Sequence, residues 1–262
     1  MAATGFRTMH VPRVYAVAGP VYGGAVLALY THAGVGERAL GVLTWLVLLC
    51  GLWPLSALAR AQALGVVVVA TVGEVAGSIV WGIYHYRSHD LPLFVPPGHG
   101  LVYLTGLAVA RIVGERRIVW AAAVGAVGWG LAGLTLLPRL DVAGGLGVAV
   151  LGAVLWRSRA RATYAGVFFV VAALELYGTS IGAWRWTRTL PGLGITDGNP
   201  PSGAASGYVA FDVMASLVAP TLLYAAAKLK PKRVTRPAAR LRSTPRIRPL
   251  QPHTCDVSPR TP

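Results

Sequence analysis

An all-α, polytopic bundle of transmembrane helices is the fold class this sequence predicts, and three observations carry it. Apolar stretches of about 20 residues, the length that crosses a bilayer as helix, recur along the chain. Only 13% of its 262 residues are charged, about half the share of a soluble domain. The basic residues fall between the apolar stretches, and alternate gaps are rich and poor in them.

Eight spans are expected in order. The first, 14–31, contains Pro20 and Tyr22 and is followed by no small-residue cleavage site, so it reads as a span rather than a leader. The second is 39–59. The third, 62–84, holds a glutamate among valines and glycines. The fourth, 96–113, opens on Pro96-Pro97, and proline is tolerated in a first helical turn. The fifth and sixth, 118–137 and 142–156, carry "GAVGWGLAGL" and "GGLGVAVLGAVL"; small residues without acids suit close packing between helices. The seventh is 163–184. The eighth, 203–227, comes after "GNPPSGAASG", where Asn199 is placed to cap. Residues 1–227 thus form one membrane domain. Residues 228–262, rich in Pro and Arg with no apolar period, read as a disordered tail.

With the N-terminus inside, nineteen Lys and Arg fall on the inner side and five on the outer. The positive-inside rule then places both termini in the cytoplasm of a multi-pass cell-membrane protein. The net charge of +15 lies mostly in the tail. Its expected partner is therefore anionic membrane lipid rather than nucleic acid. Cys50 sits in a span and Cys255 in the tail, a poor pair for a disulfide, and no metal-ligand spacing occurs. No metal or cofactor is expected.

The segment "GEVAGSIVWGIYHYRSHDLPLFVPPGHG", residues 73–100, has an echo in "LELYGTSIGAWRWTRTLPGLGITDGNPPSGAASGY", residues 174–208. Glu74, Gly77 and Ser78 match Glu175, Gly178 and Thr179. After a one-residue slip Gly82, Tyr84 and Tyr86 match Gly182, Trp184 and Trp186, and Pro96-Pro97 matches Pro200-Pro201. This ordered set suggests two parallel four-helix repeats, about 1–113 and 114–227, with a site at their interface.

Glu74, Gly77, Ser78 and Trp81 fall at i, i+3, i+4 and i+7, and so on one helix face. Each glutamate lies roughly 14 Å below the outer end of its span at 1.5 Å per residue, near the bilayer midplane. Asp212 lies about as deep. An ionised carboxylate there costs about 2.5–3.5 kcal/mol on insertion scales. One such acid reads equally well as glue between helices. Three at similar depth, two of them in duplicated motifs, point to a shared, water-poor cavity. Trp81, Tyr84, Tyr86, Trp184 and Trp186 suit an interfacial aromatic belt, and equally the walls of a pocket above the acids, where π faces stabilise a cation. Asn199 joins them as a candidate substrate contact. His99, one turn into the fourth span, is the nearest candidate proton partner for Glu74.

E-x-x-G from Glu74, then W-G-x-Y-x-Y and L-P-L-F-V-P up to Pro96, resembles the membrane-embedded carotenoid biosynthesis family that includes bacterioruberin-type carotenoid hydratases. The resemblance covers some 25 residues and is weaker in the second repeat. After the proline, Pro-Gly-His stands where that family continues with tryptophan. It implies a polytopic enzyme that adds water to a double bond of a long isoprenoid.

Protonating an alkene needs a positioned acid, for which Glu74 and Glu175 are candidates, with Asp212 and His99 as partners or water-orienting base. The expected substrate is a hydrophobic small molecule or lipid. Two other classes fit the same residues: a proton-coupled transporter with a midplane site, and a non-catalytic assembly partner. No Walker motif, dinucleotide fingerprint, HExxH or nucleophile elbow occurs. The scarcity of basic residues within the spans argues against a dedicated phosphate site.

Overall fold

The computed structural model describes residues 11–33 and 35–229. Of the basic tail expected over 228–262, all but the first two residues lie outside the described residues.

The described residues form eight helices: α1 (Val11–His32), α2 (Glu37–Leu52), α3 (Ala57–Glu74), α4 (Val95–Val113), α5 (Glu115–Thr135), α6 (Val142–Arg157), α7 (Arg161–Ser180) and α8 (Ala204–Leu229). Five are long and apolar enough to cross a membrane: α1, α3 with its continuation to Trp81, α5, α7 and α8. Helix α6 is apolar but shorter. Exposed Val42, Leu46, Leu49, Trp120, Val124 and Trp156 cover the outside of α2, α5 and α6, an apolar surface that suits lipid and not water.

Helices α3, α4, α7 and α8 form the centre, and glycines set how closely they approach. On α4 a Cβ at Gly106 would lie 2.6 Å from the backbone nitrogen of Val167 on α7. On α3 a Cβ at Gly65 would lie 3.3 Å from Ala215 on α8, while one at Gly73 would run into the Phe211 ring. Small residues let helices pack backbone to backbone where lipid supplies no hydrophobic driving force between them.

The all-α expectation needs one correction. Strands β1 (Tyr84–Tyr86) and β2 (Trp184–Trp186) pair antiparallel, with Tyr84 opposite Trp186, His85 opposite Arg185 and Tyr86 opposite Trp184. Arg87 N–H donates to Ala183 O at 2.9 Å and Thr187 N–H to Ile83 O at 3.0 Å, extending the ribbon by one bond at each end. The third and seventh spans, expected to run to 84 and 184, therefore stop as helix at Trp81 and Ser180. Gly82 follows directly and Gly182 after Ile181, at φ 73° and 74°, a left-handed conformation that ends a helix and is strained for any residue with a Cβ. Beyond them Y-H-Y and W-R-W alternate with period two, as a ribbon with two unlike faces requires.

The slip between the two motifs also has a structural form. Between Glu74 and Gly82 the chain winds as a π-helical turn, Val75–Trp81, which accommodates an extra residue in a helix. Ile83 N–H reaches back six residues to Gly77 O at 2.9 Å, whereas Ala183 N–H reaches back five to Gly178 O at 2.8 Å. The wide turn rotates the chain beyond it. Trp81, expected on the face of Glu74, is 47% exposed, and its indole N–H donates to Pro191 O at 2.9 Å. The proline pairs are not equivalent in place: Pro96-Pro97 lie in the first turn of α4, while Pro200-Pro201 precede α8.

Candidate functional site

The inward face of the ribbon carries Tyr84, Tyr86, Trp184 and Trp186, and each pair of rings closes on one glutamate. Glu74 accepts from the hydroxyls of Tyr84 at 2.5 Å and Tyr86 at 2.6 Å, both through Oε2. Glu175 accepts from the indole N–H groups of Trp184 at 2.9 Å and Trp186 at 3.0 Å, again through one oxygen. Both glutamates are buried. The turns below them repeat each other: Ser78 Oγ donates to Glu74 O at 2.7 Å, and Thr179 Oγ1 to Glu175 O at 2.7 Å. Gly77 lies under the Tyr84 ring and Gly178 under the Trp184 ring. A glycine three residues after the acid leaves room for the aromatic to fold back onto the carboxyl group.

The two halves differ in chemistry. The second oxygen of Glu74, Oε1, lies 3.0 Å from His99 Nε2, and His99 is itself buried on α4. Its ring stacks on Tyr208 of α8, with centroids 4.9 Å apart and planes tilted by 31°. Tyr208 in turn interacts with Glu175. Glu74, His99, Tyr208 and Glu175 thus form a continuous row, buried except at the half-buried Tyr208, with one imidazole–carboxyl pair in it.

Beside this row lies an apolar cavity of about 100 Å³ whose wall includes His99, Tyr86, Trp184, Tyr208, Tyr22 and Thr44. It shares Pro20, Val170 and Leu174 with a groove of about 380 Å³ between α1 and α7. The imidazole, rather than either carboxyl group, is presented to this space.

The fold gathers some of the candidates read from the sequence and separates others. Glu74, Glu175, His99, Tyr84, Tyr86, Trp184 and Trp186 come together. Asp212 is buried, but no hydrogen bond joins it to either glutamate among the described residues, and its Oδ2 has no partner there. Its neighbours are Tyr103 and Tyr164. Trp81 braces the loop at Pro191. Asn199 Oδ1 accepts from the Trp186 backbone N–H at 2.8 Å, so it positions the ribbon. Tyr208 escaped the sequence reading because nothing local marks it within an apolar helix: His99 lies three residues after Pro96, whereas Tyr208 lies eight after Pro200.

Asp141 is a second omission. It is buried and N-caps α6 through Gly144 N–H at 3.0 Å. It also accepts from Gly198 N–H at 3.0 Å, and from the N–H and hydroxyl of Ser202, each at 2.7 Å. One carboxylate thereby ties the long loop after β2 to the start of α6. Asp197 beside it is pushed up to about 7 by burial and by the charge of Asp141, with Arg139 acting in the opposite direction. Comparison with protein-family models, with curated proteins and with solved structures finds no match for this chain.

Proposed function

We propose that this integral membrane protein is an acid–base enzyme acting on an apolar, lipid-soluble substrate of the isoprenoid class, with Glu74 and His99 as its proton-handling pair. The observation that carries the reading is the Glu74–His99 contact itself. Two tyrosine hydroxyls brace the carboxyl group, and the imidazole forms part of the wall of a cavity that shares Pro20, Val170 and Leu174 with a groove between helices. A buried charged group at such depth is costly and marks function more often than it supplies stability.

In the proposed step the pair delivers one proton to an alkene carbon. A C–H bond forms as the π bond breaks, and the neighbouring carbon becomes cationic beside Tyr86, Trp184 and Tyr208, whose faces stabilise it. Water adds to the cation, and its surplus proton returns to the pair. If an internal alkene attacks instead, the outcome is cyclisation, with the final proton again lost to the pair. Glu74 holds and orients the imidazole, as an acceptor fixes a catalytic histidine elsewhere. Glu175, held by two indoles, is the counterpart in the other half.

The same reading includes eight spans, both termini in the cytoplasm, and two parallel repeats. The repeat is supported by the exchange of ribbon bonds between the halves, since 83 to 187 and 183 to 87 are equivalent contacts under it. It is supported too by the packing of α3 on α8 and of α7 on α4. Gly65 facing Ala215 and Gly166 facing Gly106 set the register. In that register Tyr208 occupies the place of His99, and Asp212 that of Tyr103.

The test is mass spectrometry of lipid extracts from cells lacking the protein and from cells expressing it or His99→Gln. Expression should convert an accumulated isoprenoid into a product one water heavier, or into an isomer. His99→Gln, inserted at the same level, should leave the precursor. Identical lipid profiles in all three would overturn the proposal.

A further inference from the structure

On its other face the ribbon presents His85 and Arg185, directly opposite one another and both exposed. The pairing sets an imidazole beside a guanidinium on one exposed face, with no acid opposite either in the ribbon. It opens a larger gathering. Arg87 from the turn after β1, Arg139 from the loop between α5 and α6, and Arg185 and Arg188 from β2 and beyond line one concave vestibule of about 530 Å³, with His85 and His89. These are four of the five arginines outside the inner, Arg-rich gaps. The scarcity of basic residues in the spans hid them, because loops far apart in the chain supply the cluster.

No acid among the described residues lines the vestibule. Among the described residues the salt bridges are Glu74–His99 and Glu115–Arg161, and none involves these four arginines. Burial, and then the neighbouring Arg188 and Arg185, lower the basicity of Arg139, and Asp197 acts in the opposite direction. Arg139 is held in place by its hydrogen bond to Trp186 O at 3.1 Å. Convergent guanidinium groups in a concavity, unpaired and partly fixed, match an oxyanion with several acceptor oxygens.

We infer that this vestibule is a binding site for a phosphate-class anion, presented either on a lipid headgroup or as a free phosphate. The site stands apart from the proton chemistry: Tyr86 and Trp184 form the wall between the two spaces. Anion binding there does not depend on the chemistry of the Glu74–His99 pair.

Two tryptophans in the wall, Trp184 and Trp186, supply the signal. The full chain is placed in nanodiscs of uncharged phosphatidylcholine and titrated with inorganic pyrophosphate, and separately in nanodiscs with added phosphatidic acid. A saturable fluorescence change with pyrophosphate identifies a free-phosphate site; a change only with phosphatidic acid identifies a headgroup site. In either arm the exposed pair Arg185→Gln/Arg188→Gln should weaken binding at least tenfold, and raised salt should weaken it in the wild type. Arg185→Lys/Arg188→Lys, which keeps the charge, should retain part of the affinity and guards against a folding defect. Absence of saturable binding in both arms, or equal binding by the Gln pair, overturns the inference.

Discussion

Replacing Glu74 by glutamine separates chemistry from structure. The carboxyl group satisfies three buried groups: two hydroxyls at Oε2 and an imidazole nitrogen at Oε1. Glutamine fills the same volume. Its carbonyl oxygen accepts from both tyrosines, and its amide N–H can donate to His99 Nε2 once that imidazole carries its proton on Nδ1. All three contacts survive in neutral form. The expected loss is the difference between charge-assisted and neutral hydrogen bonds, about 1–2 kcal/mol. Leucine would strand all three groups at about 1–3 kcal/mol each, a large part of an ordinary folding free energy of about 5–15 kcal/mol. Glu74→Leu should therefore fail to accumulate, while Glu74→Gln should insert and give a monodisperse peak on fluorescence-detected size-exclusion chromatography. Function should differ sharply, because the pair can no longer hold the transferable proton, and general acid–base catalysis contributes about 10²–10⁴-fold. The readout is the ratio of isoprenoid product to precursor in cells expressing each variant. A Glu74→Gln ratio equal to wild type would refute the proton-transfer role and leave the carboxyl group as a tie between α3, α4 and the ribbon.

Single contacts set three further outcomes. Gly178→Ala should lower thermal stability by about 1–3 kcal/mol, because its Cβ would fall inside the Trp184 indole, whereas Gly77→Ala, 3.2 Å from Tyr84 Cε1, should be milder; unfolding in detergent monitored by tryptophan fluorescence ranks the two. Asp141→Ala removes the N-cap bond of α6 and three hydrogen bonds from the loop before α8, and should cost about 3–5 kcal/mol, read as early proteolysis near Gly198. Asp197 keeps its proton in the folded protein up to about 7, from an ordinary value of 3.8. Its contribution to stability is thus complete below the ordinary value and is lost as pH rises through about 7. Screening by solvent leaves roughly 1–2 kcal/mol of that effect. Melting temperature should fall between pH 5 and pH 8 in the wild type and fall less in Asp197→Asn.

The sequence by itself determined whatever depends on local pattern. Runs of apolar residues specify helices without reference to any partner, so eight helices lie on the eight runs; their ends shift where local structure intervenes, since the second span, expected to run to 59, stops as helix at Leu52, α3 starts at Ala57 rather than 62, and the third and seventh stop before Gly82 and Gly182. The spacing of acid, glycine and hydroxyl residue marked both glutamate turns, because those contacts are made within one turn of helix. The tertiary structure decided the rest, because the remaining contacts join residues far apart in the chain. His99 meets Glu74 from 25 positions away, and Trp81 braces a loop 110 positions on. Nothing in Y-H-Y or W-R-W announces that the two segments pair with each other rather than lie in an interfacial belt. Their pairing aims four aromatics at the acids and, by the alternation of a strand, aims His85 and Arg185 away. Tyr208 and Asp212 are four residues apart on one helix, yet the first stacks on His99 and the second sits beside Tyr103 and Tyr164. Position along an apolar run is legible from the sequence. Which neighbour a side chain faces depends on how α3, α4, α7 and α8 pack, and close contacts between small residues set that packing.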